Sequence, residues 1–183
     1  AFGESNSATA TDASALGGLS NTANTTAATT VGGYQGKAYL FGQVAHSSGQ
    51  FAAQGDAQTS ELIWKGSTTG ATPTEIFIGP AGQRATVPAD TTWGFVINAV
   101  ARRDDGTSIT FEVKGGIKNT GGVVVLVAAV TAAVIADGTG AALTIANFTV
   151  SADDPNNSLK ILVTGIAAQN WRWVAHARIV EVN

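Results

Sequence analysis

Asp153, Asp154, Asn156 and Asn157 put four oxygen-bearing side chains within five residues, the donor type and density of a loop that could ligate Ca2+. Pro155 stands among them and favours a plain turn, so the loop is carried as a weak metal candidate and no metal is assigned. A second cluster, Arg102, Arg103, Asp104 and Asp105, runs into Gly106 and reads as a hairpin tip. Exposed guanidinium and carboxylate groups there could meet a polar ligand, or simply pair in water. Trp64, Trp93, Trp171 and Trp173 could stack on a sugar ring, although residues of this size inside strands ordinarily fill a core or an interface. Trp173 is grouped with the hairpin tip as a binding candidate.

Other chemistries find little to work with. His46 and His176 stand in no triad or metal-ligand spacing. The chain has no Cys, which removes thiolate nucleophiles, thiolate metal sites and disulfides together. Thirteen Asp and Glu could hold a glycosidase pair, but no spacing singles one out. The expectation is a chain with no catalytic residue, no cofactor and no enzymatic activity. A net charge of -3 with scattered Lys and Arg gives no footprint for nucleic acid. The longest apolar stretch, residues 122–136, is too short for a spanning helix, so membrane insertion is not expected.

The elements that must position these residues are strands. With 22 Gly, four Pro and 13% charged residues, the 183-residue text is turn-rich and helix-poor. After residue 58 it reads as about eight strands: Ser60–Lys65, Thr74–Ile78, Trp93–Arg103, Thr107–Lys114, Val123–Ile135, Leu143–Ser151, Leu159–Thr164 and Asn170–Val182. Ile109, Phe111 and Val113 alternate with polar neighbours, giving one wet and one dry face. Asp104-Asp105-Gly106 closes one hairpin, and Asp153 to Asn157 closes another between Phe148/Val150 and Leu159/Ile161/Val163. The pattern predicts a jelly-roll-like antiparallel β-sandwich over residues 59–183.

Residues 1–58 are written differently. SNSATATDASALGGL (Ser5–Leu19) and SNTANTTAATTVGGY (Ser20–Tyr34) agree at seven of fifteen positions, Gly17/Gly32 and Gly18/Gly33 among them. Fifteen residues hold two short strands and two tight turns, which predicts a β-roll or solenoid stem. Ala8, Ala23, Ala38 and Ala53 recur at that period and are expected to point inward. Gly3 lies fifteen before Gly18 and no Met is present, so the chain is read as a fragment of a longer array.

Energetics then bear on assembly. Ordering a residue costs about 1–2 kcal/mol of backbone entropy, and a buried methyl or methylene contributes only about 0.8 kcal/mol. An alanine-lined roll should therefore need partners. The simplest solution is a homotrimer in which Leu16, Leu19, Val31 and Tyr34 meet across the interface, joined by Phe41 where the roll gives way to bulkier text.

The Gly-Gly-terminated repeats resemble those of trimeric β-roll stalks and heads in YadA-like bacterial adhesins and in bacteriophage tail fibres and spikes. ATPTEIFIGPAGQRATVPADTTWGFVINAVARR (residues 71–103), VSADDPNNSLKILVTG (150–165) and NWRWVAHARIVEV (170–182) resemble the globular domain that follows such repeats in phage fibre-like proteins. The repeat departs from that pattern at Asn24-Thr25, where Ser-Gly is common. This resemblance implies an all-β, homotrimeric, extracellular virion appendage that touches other virion proteins and a host cell-surface glycan or protein, with no catalytic residue to carry over. It leaves open a capsid decoration or connecting protein that binds no receptor, and a bacterial trimeric adhesin head. A depolymerase stands last.

Overall fold

A computed structural model of the chain describes residues 2–140 and 142–183. The fifteen-residue period is the pitch of a solenoid. Each turn gives one strand to each of two parallel ladders: β1 (Ser7–Ala8), β3 (Thr22–Ala23) and β5 (Lys37–Ala38) on one side, β2 (Ser14–Ala15), β4 (Thr29–Tyr34) and β6 (Val44–Ser48) on the other. Ser7, Thr22 and Lys37 stand in register, as do Ser14, Thr29 and Val44. Between the ladders lies a small core of Ala23, Ala28, Ala38 and Ala45, with Ala13 packed against it. Ala23 and Ala38 point inward as expected; Ala8, on the first rung, and Ala53, in the loop beyond the last, are exposed.

Two side-chain types hold the rungs at this spacing. Asn21 is fully buried, donates from Nδ2 to the carbonyls of Gly17 (2.8 Å) and Gly33 (3.1 Å), and accepts from the Gly36 amide (2.8 Å). Asn6, one turn earlier, repeats the arrangement toward Phe2 and Gly18 and accepts from the Asn21 amide (2.9 Å). The glycines let the rungs approach. Gly18 has φ +77°, and a Cβ placed there would stand 2.0 Å from the Gly33 carbonyl oxygen. Gly18→Ala is thus expected to lose about 2–3 kcal/mol of stability, and Gly32→Ala about 1 kcal/mol, measured by thermal or denaturant unfolding. The contrast isolates the clash, because Gly32 shares the positive φ but has open space around it.

The head comprises β7 (Ala57–Thr68), β8 (Thr74–Ile76), β9 (Ala85–Thr86), β10 (Thr92–Arg103), β11 (Ser108–Thr120), β12 (Val123–Leu126), β13 (Thr131–Asp137), β14 (Phe148–Asp153), β15 (Ser158–Val163) and β16 (Trp171–Val182). One large sheet runs β12-β11-β10-β16-β7-β6-β4-β2, so it passes without a break from head into roll; β13 also pairs with β11. Facing it is a small sheet, β14-β15-β8, with β9 paired to β15. The all-β class agrees with the expectation, and both expected hairpins form: Arg102 pairs with Ser108 and Val150 with Ile161. The single strand expected at 123–135 is instead an edge interrupted opposite Gly115-Gly116, where the Val127 amide donates to the Gly116 carbonyl (2.8 Å).

Strand alternation fills the space between the sheets with Leu62, Phe95, Ile97, Phe111, Phe148, Ile161 and all four tryptophans. Trp173 is therefore corrected as a binding candidate. It is 1% exposed, stacks near Phe111 and donates from Nε1 to Thr68 Oγ1 (3.1 Å), because odd-numbered positions of β16 face the core.

Candidate functional site

The strands of the large sheet carry the expected hairpin tip at Asp104 to one end. β6 joins β7 at Thr59 to Glu61, whereas Thr68, Arg103 and Trp171 end the long strands some seven residues further on, about 23 Å away. Loops 69–73, 104–107 and 164–170 gather there; a Cβ on Gly165 would lie 2.8 Å from the Gly70 oxygen. Arg103 is committed to the hairpin tip. It pairs with Asp105, donates to Thr107 Oγ1 (3.1 Å) and lies 5.8 Å over the Trp171 ring. That Arg103 hydrogen bond, with one from the Thr107 amide, holds the Asp105 carboxyl well below the ordinary range. Asp104 accepts from Asn170 Nδ2 (3.1 Å) and lies 3.7 Å from Arg172. Arg102 has no ion-pair partner among the described residues.

The Asp153 loop lies at the other end, toward the roll, where Asn156 shares a surface cleft with Thr25 and Tyr39. Its oxygens are already used. Asp153 is buried, accepts from Asn156 (3.0 Å) and faces Lys160 (3.4 Å) and Arg84 (3.9 Å). Burial pushes its carboxyl up, but those partners outweigh burial and hold it below the ordinary value. Asp154 Oδ1 accepts the Val124 amide (2.6 Å), and Asn157 takes the left-handed conformation that closes the turn. Two cations and a backbone donor occupy the carboxylates that a Ca2+ ion would need. Among the described residues no group of three or more acidic, His or Cys side chains could hold a metal.

A third arrangement escaped the sequence reading. Glu181 is 3% exposed, at the joint of roll and head, at the edge of a cleft of about 460 Å³ that Lys37, Gln54 and Asp56 also line. Ser60 Oγ (2.8 Å) and Gln58 Nε2 donate to its Oε1; Trp93 Nε1 (3.0 Å) and Tyr39 Oη (2.5 Å) donate to Oε2. Burial raises the Glu181 carboxyl above its usual value, and the four donors draw it part of the way back. Burial, with the Glu181 charge, drives the Tyr39 phenol far up, so it stays a proton donor. Gln58 also brackets Lys37, accepting from its amide and donating to its carbonyl (2.8 Å each), and so joins the roll to this carboxylate. The signal was legible: β16 alternates Trp171, Trp173, Ala175, Ala177 and Ile179 inward, and Glu181 falls next in that phase.

Of the expected interface residues, Leu16 (54% exposed), Val31 (48%), Tyr34 (42%) and Leu19 (38%) lie uncovered on the roll. Glu4, Leu19 and Tyr34 form one column, bridged in parallel. Beside Val31, a groove of about 580 Å³ is lined by Val44, His46, Val96 and Val180. Phe41 is corrected: its ring turns toward the head, packing on Gly79 and the sandwich core, because Gly79 leaves room for it.

No protein-family model and no curated protein matches the chain. Among solved structures it is similar to the tailspike protein gp49 of Acinetobacter baumannii bacteriophage Fri1, a capsular polysaccharide depolymerase, at 10% identity and TM-score 0.37 over 91% of this chain and 30% of that one. It is also similar to the tailspike of Acinetobacter phage vB_ApiP_P1, at 13% identity and TM-score 0.27 over 88% of this chain and 33% of that one. The chain thus spans about a third of the length of the tailspikes it matches. One expectation is corrected by this finding. The chain was read as no enzyme, yet the Fri1 tailspike is a depolymerase, and the non-enzymatic reading is withdrawn.

Proposed function

We propose that the chain is part of a homotrimeric virion appendage of the tail fibre or tailspike type, residues 1–58 serving as stem and 59–183 as a head that meets the host surface. One observation carries the trimer: a roll whose core is four alanines presents Leu16, Leu19, Val31 and Tyr34 outward. Four methyl groups offset little of the ordering cost, whereas fully covering a Leu or Val side chain contributes about 1.5–3 kcal/mol. Three copies around one axis would cover all twelve side chains. The gathered loops 69–73, 104–107 and 164–170, at the end away from the roll, support the head as the contact end. Three such ends on one stem would bind by avidity.

Light scattering is expected to give three times the 18.5 kDa chain mass. A chain carrying both Leu16→Glu and Val31→Glu is expected to lose that assembly. Monomer mass for the parent chain sinks the trimer. Parent chain that fails to bind any encapsulated host cell sinks the contact role.

A further inference from the structure

Across the far end of the large sheet, one row of four adjacent strands reads Ser67, Arg172, Arg102, Ser108. Arg172 is the cross-strand partner of Arg102, Ser67 of Arg172 and Ser108 of Arg102, and all four are exposed on the outer face. Directly opposed like charges destabilise a strand pair, and of the two arginines Arg172 alone has a carboxylate near it among the described residues, Asp104 at 3.7 Å. Lys65, two residues from Ser67 on the same face, adds a third cation. A groove of about 480 Å³ opens beside the row, lined by Lys65, Ser67, Arg172, Thr74, Glu75 and Phe77. In a chain of net charge -3, Lys65, Arg102 and Arg172 face Asp104 and Glu75, and Glu75 is already bound by Arg84 (2.9 Å), so the patch keeps an excess of positive charge.

We infer that this row and its groove form a binding site for the anionic groups of a linear polymer. A carboxylate or phosphate between Arg102 and Arg172 replaces their repulsion with paired charge-assisted hydrogen bonds, which guanidinium geometry suits better than ammonium. The flanking serines offer hydroxyls to the same group, and the groove gives the polymer a track toward Phe77. Asp104, 3.7 Å from Arg172, offsets part of the like-charge repulsion before a ligand binds. Repulsion retained at a functional position, at some expense in stability, is the pattern that binding sites show. The inference rests on the far end being the contact end, and names the chemistry that this end would take.

The test titrates the full chain with polygalacturonate, inorganic polyphosphate and neutral dextran, alongside Arg102→Ser, Arg172→Ser and the double variant. Binding of at least one polyanion and none of dextran is expected, the two polyanions separating a carboxylate from a phosphate source. The double variant should lose at least about tenfold in affinity. Its slope of log affinity against log salt should flatten by about one per arginine. Arg102→Ser should melt no lower than the parent, since it removes a repulsion, and a Lys pair should keep the salt slope while binding more weakly. Equal polyanion binding by the double variant overturns the site, as does failure of the parent to bind either polyanion. If that failure coincides with intact binding to host cells, the contact role survives and the anion site alone falls; if cell binding fails too, both fall.

Discussion

Glu181→Ala is expected to cost the chain about 3–5 kcal/mol in denaturant unfolding, the largest loss from any single polar side chain of the head. Four donors converge on this carboxylate, and they differ in what they can do without it. The Tyr39 hydroxyl lines the adjoining cleft and can rotate toward water entering it, and the Ser60 hydroxyl can rotate toward the space the carboxylate leaves. The Trp93 indole is fixed by packing and donates only; one Gln58 amide hydrogen is bound to the Lys37 carbonyl, leaving the other without an acceptor. Glu181→Gln is the sharper probe. The backbone of Lys37 settles which way the Gln58 amide points, so a glutamine amide at 181 faces either the Gln58 N–H or the Trp93 N–H, and each orientation sets N–H against N–H. About 1–3 kcal/mol should be lost.

The pH dependence has a definite sign. Burial raises the Glu181 carboxyl in the folded chain, so folding favours its protonated form. Its contribution is therefore fully present below the unfolded value of about 4.3 and is lost as pH rises through the folded value. Asp153 and Asp105, both held low, act in the opposite sense and lose their contribution as pH falls. Total stability mixes these signs, but the difference between parent and Glu181→Gln isolates one. That difference should shrink as pH climbs through the raised value; one that grows would show that the four donors outweigh burial.

The fifteen-residue period was legible because solenoid register and sequence period are the same number, so Ala23 stacking on Ala38 could be read from spacing alone. Strand positions in the head followed from alternation, and the hairpin at Asp104 from its turn residues. What escaped depends on partners distant in sequence. The Asp153 loop carries donors suited to Ca2+, and only the fold brings Lys160 and Arg84 to them. The tip residues Arg102 and Asp104 were noticed, but Arg172 was not, since its place beside Arg102 is set by a register between strands some seventy residues apart. Trp173 was misplaced for a local reason: on β16 the face it shares with Trp171 is the core face, and the alternation that identifies the strand leaves that choice to the sheet opposite.

Asn21→Ala should lower stability by a similar amount, about 3–5 kcal/mol, although it removes only a few atoms. Its amide satisfies three backbone groups in the roll, the carbonyls of Gly17 and Gly33 and the N–H of Gly36, and alanine offers none of them a partner. Water cannot readily replace it, because the side chain is fully buried between rungs held together by glycines that leave no room for a Cβ. Asn6→Ala removes the same chemistry one turn earlier, where the side chain is half-buried, and should cost only about 1 kcal/mol. The ratio between the two losses reads how far water penetrates the rung. Equal losses would mean that the amides act locally, as turn-closing groups, rather than as the buried ladder that fixes the pitch of the stem. Asn21→Asp separates these further: a carboxylate keeps the acceptor for Gly36 but turns an oxygen toward two carbonyl oxygens, so it should be no better tolerated than alanine.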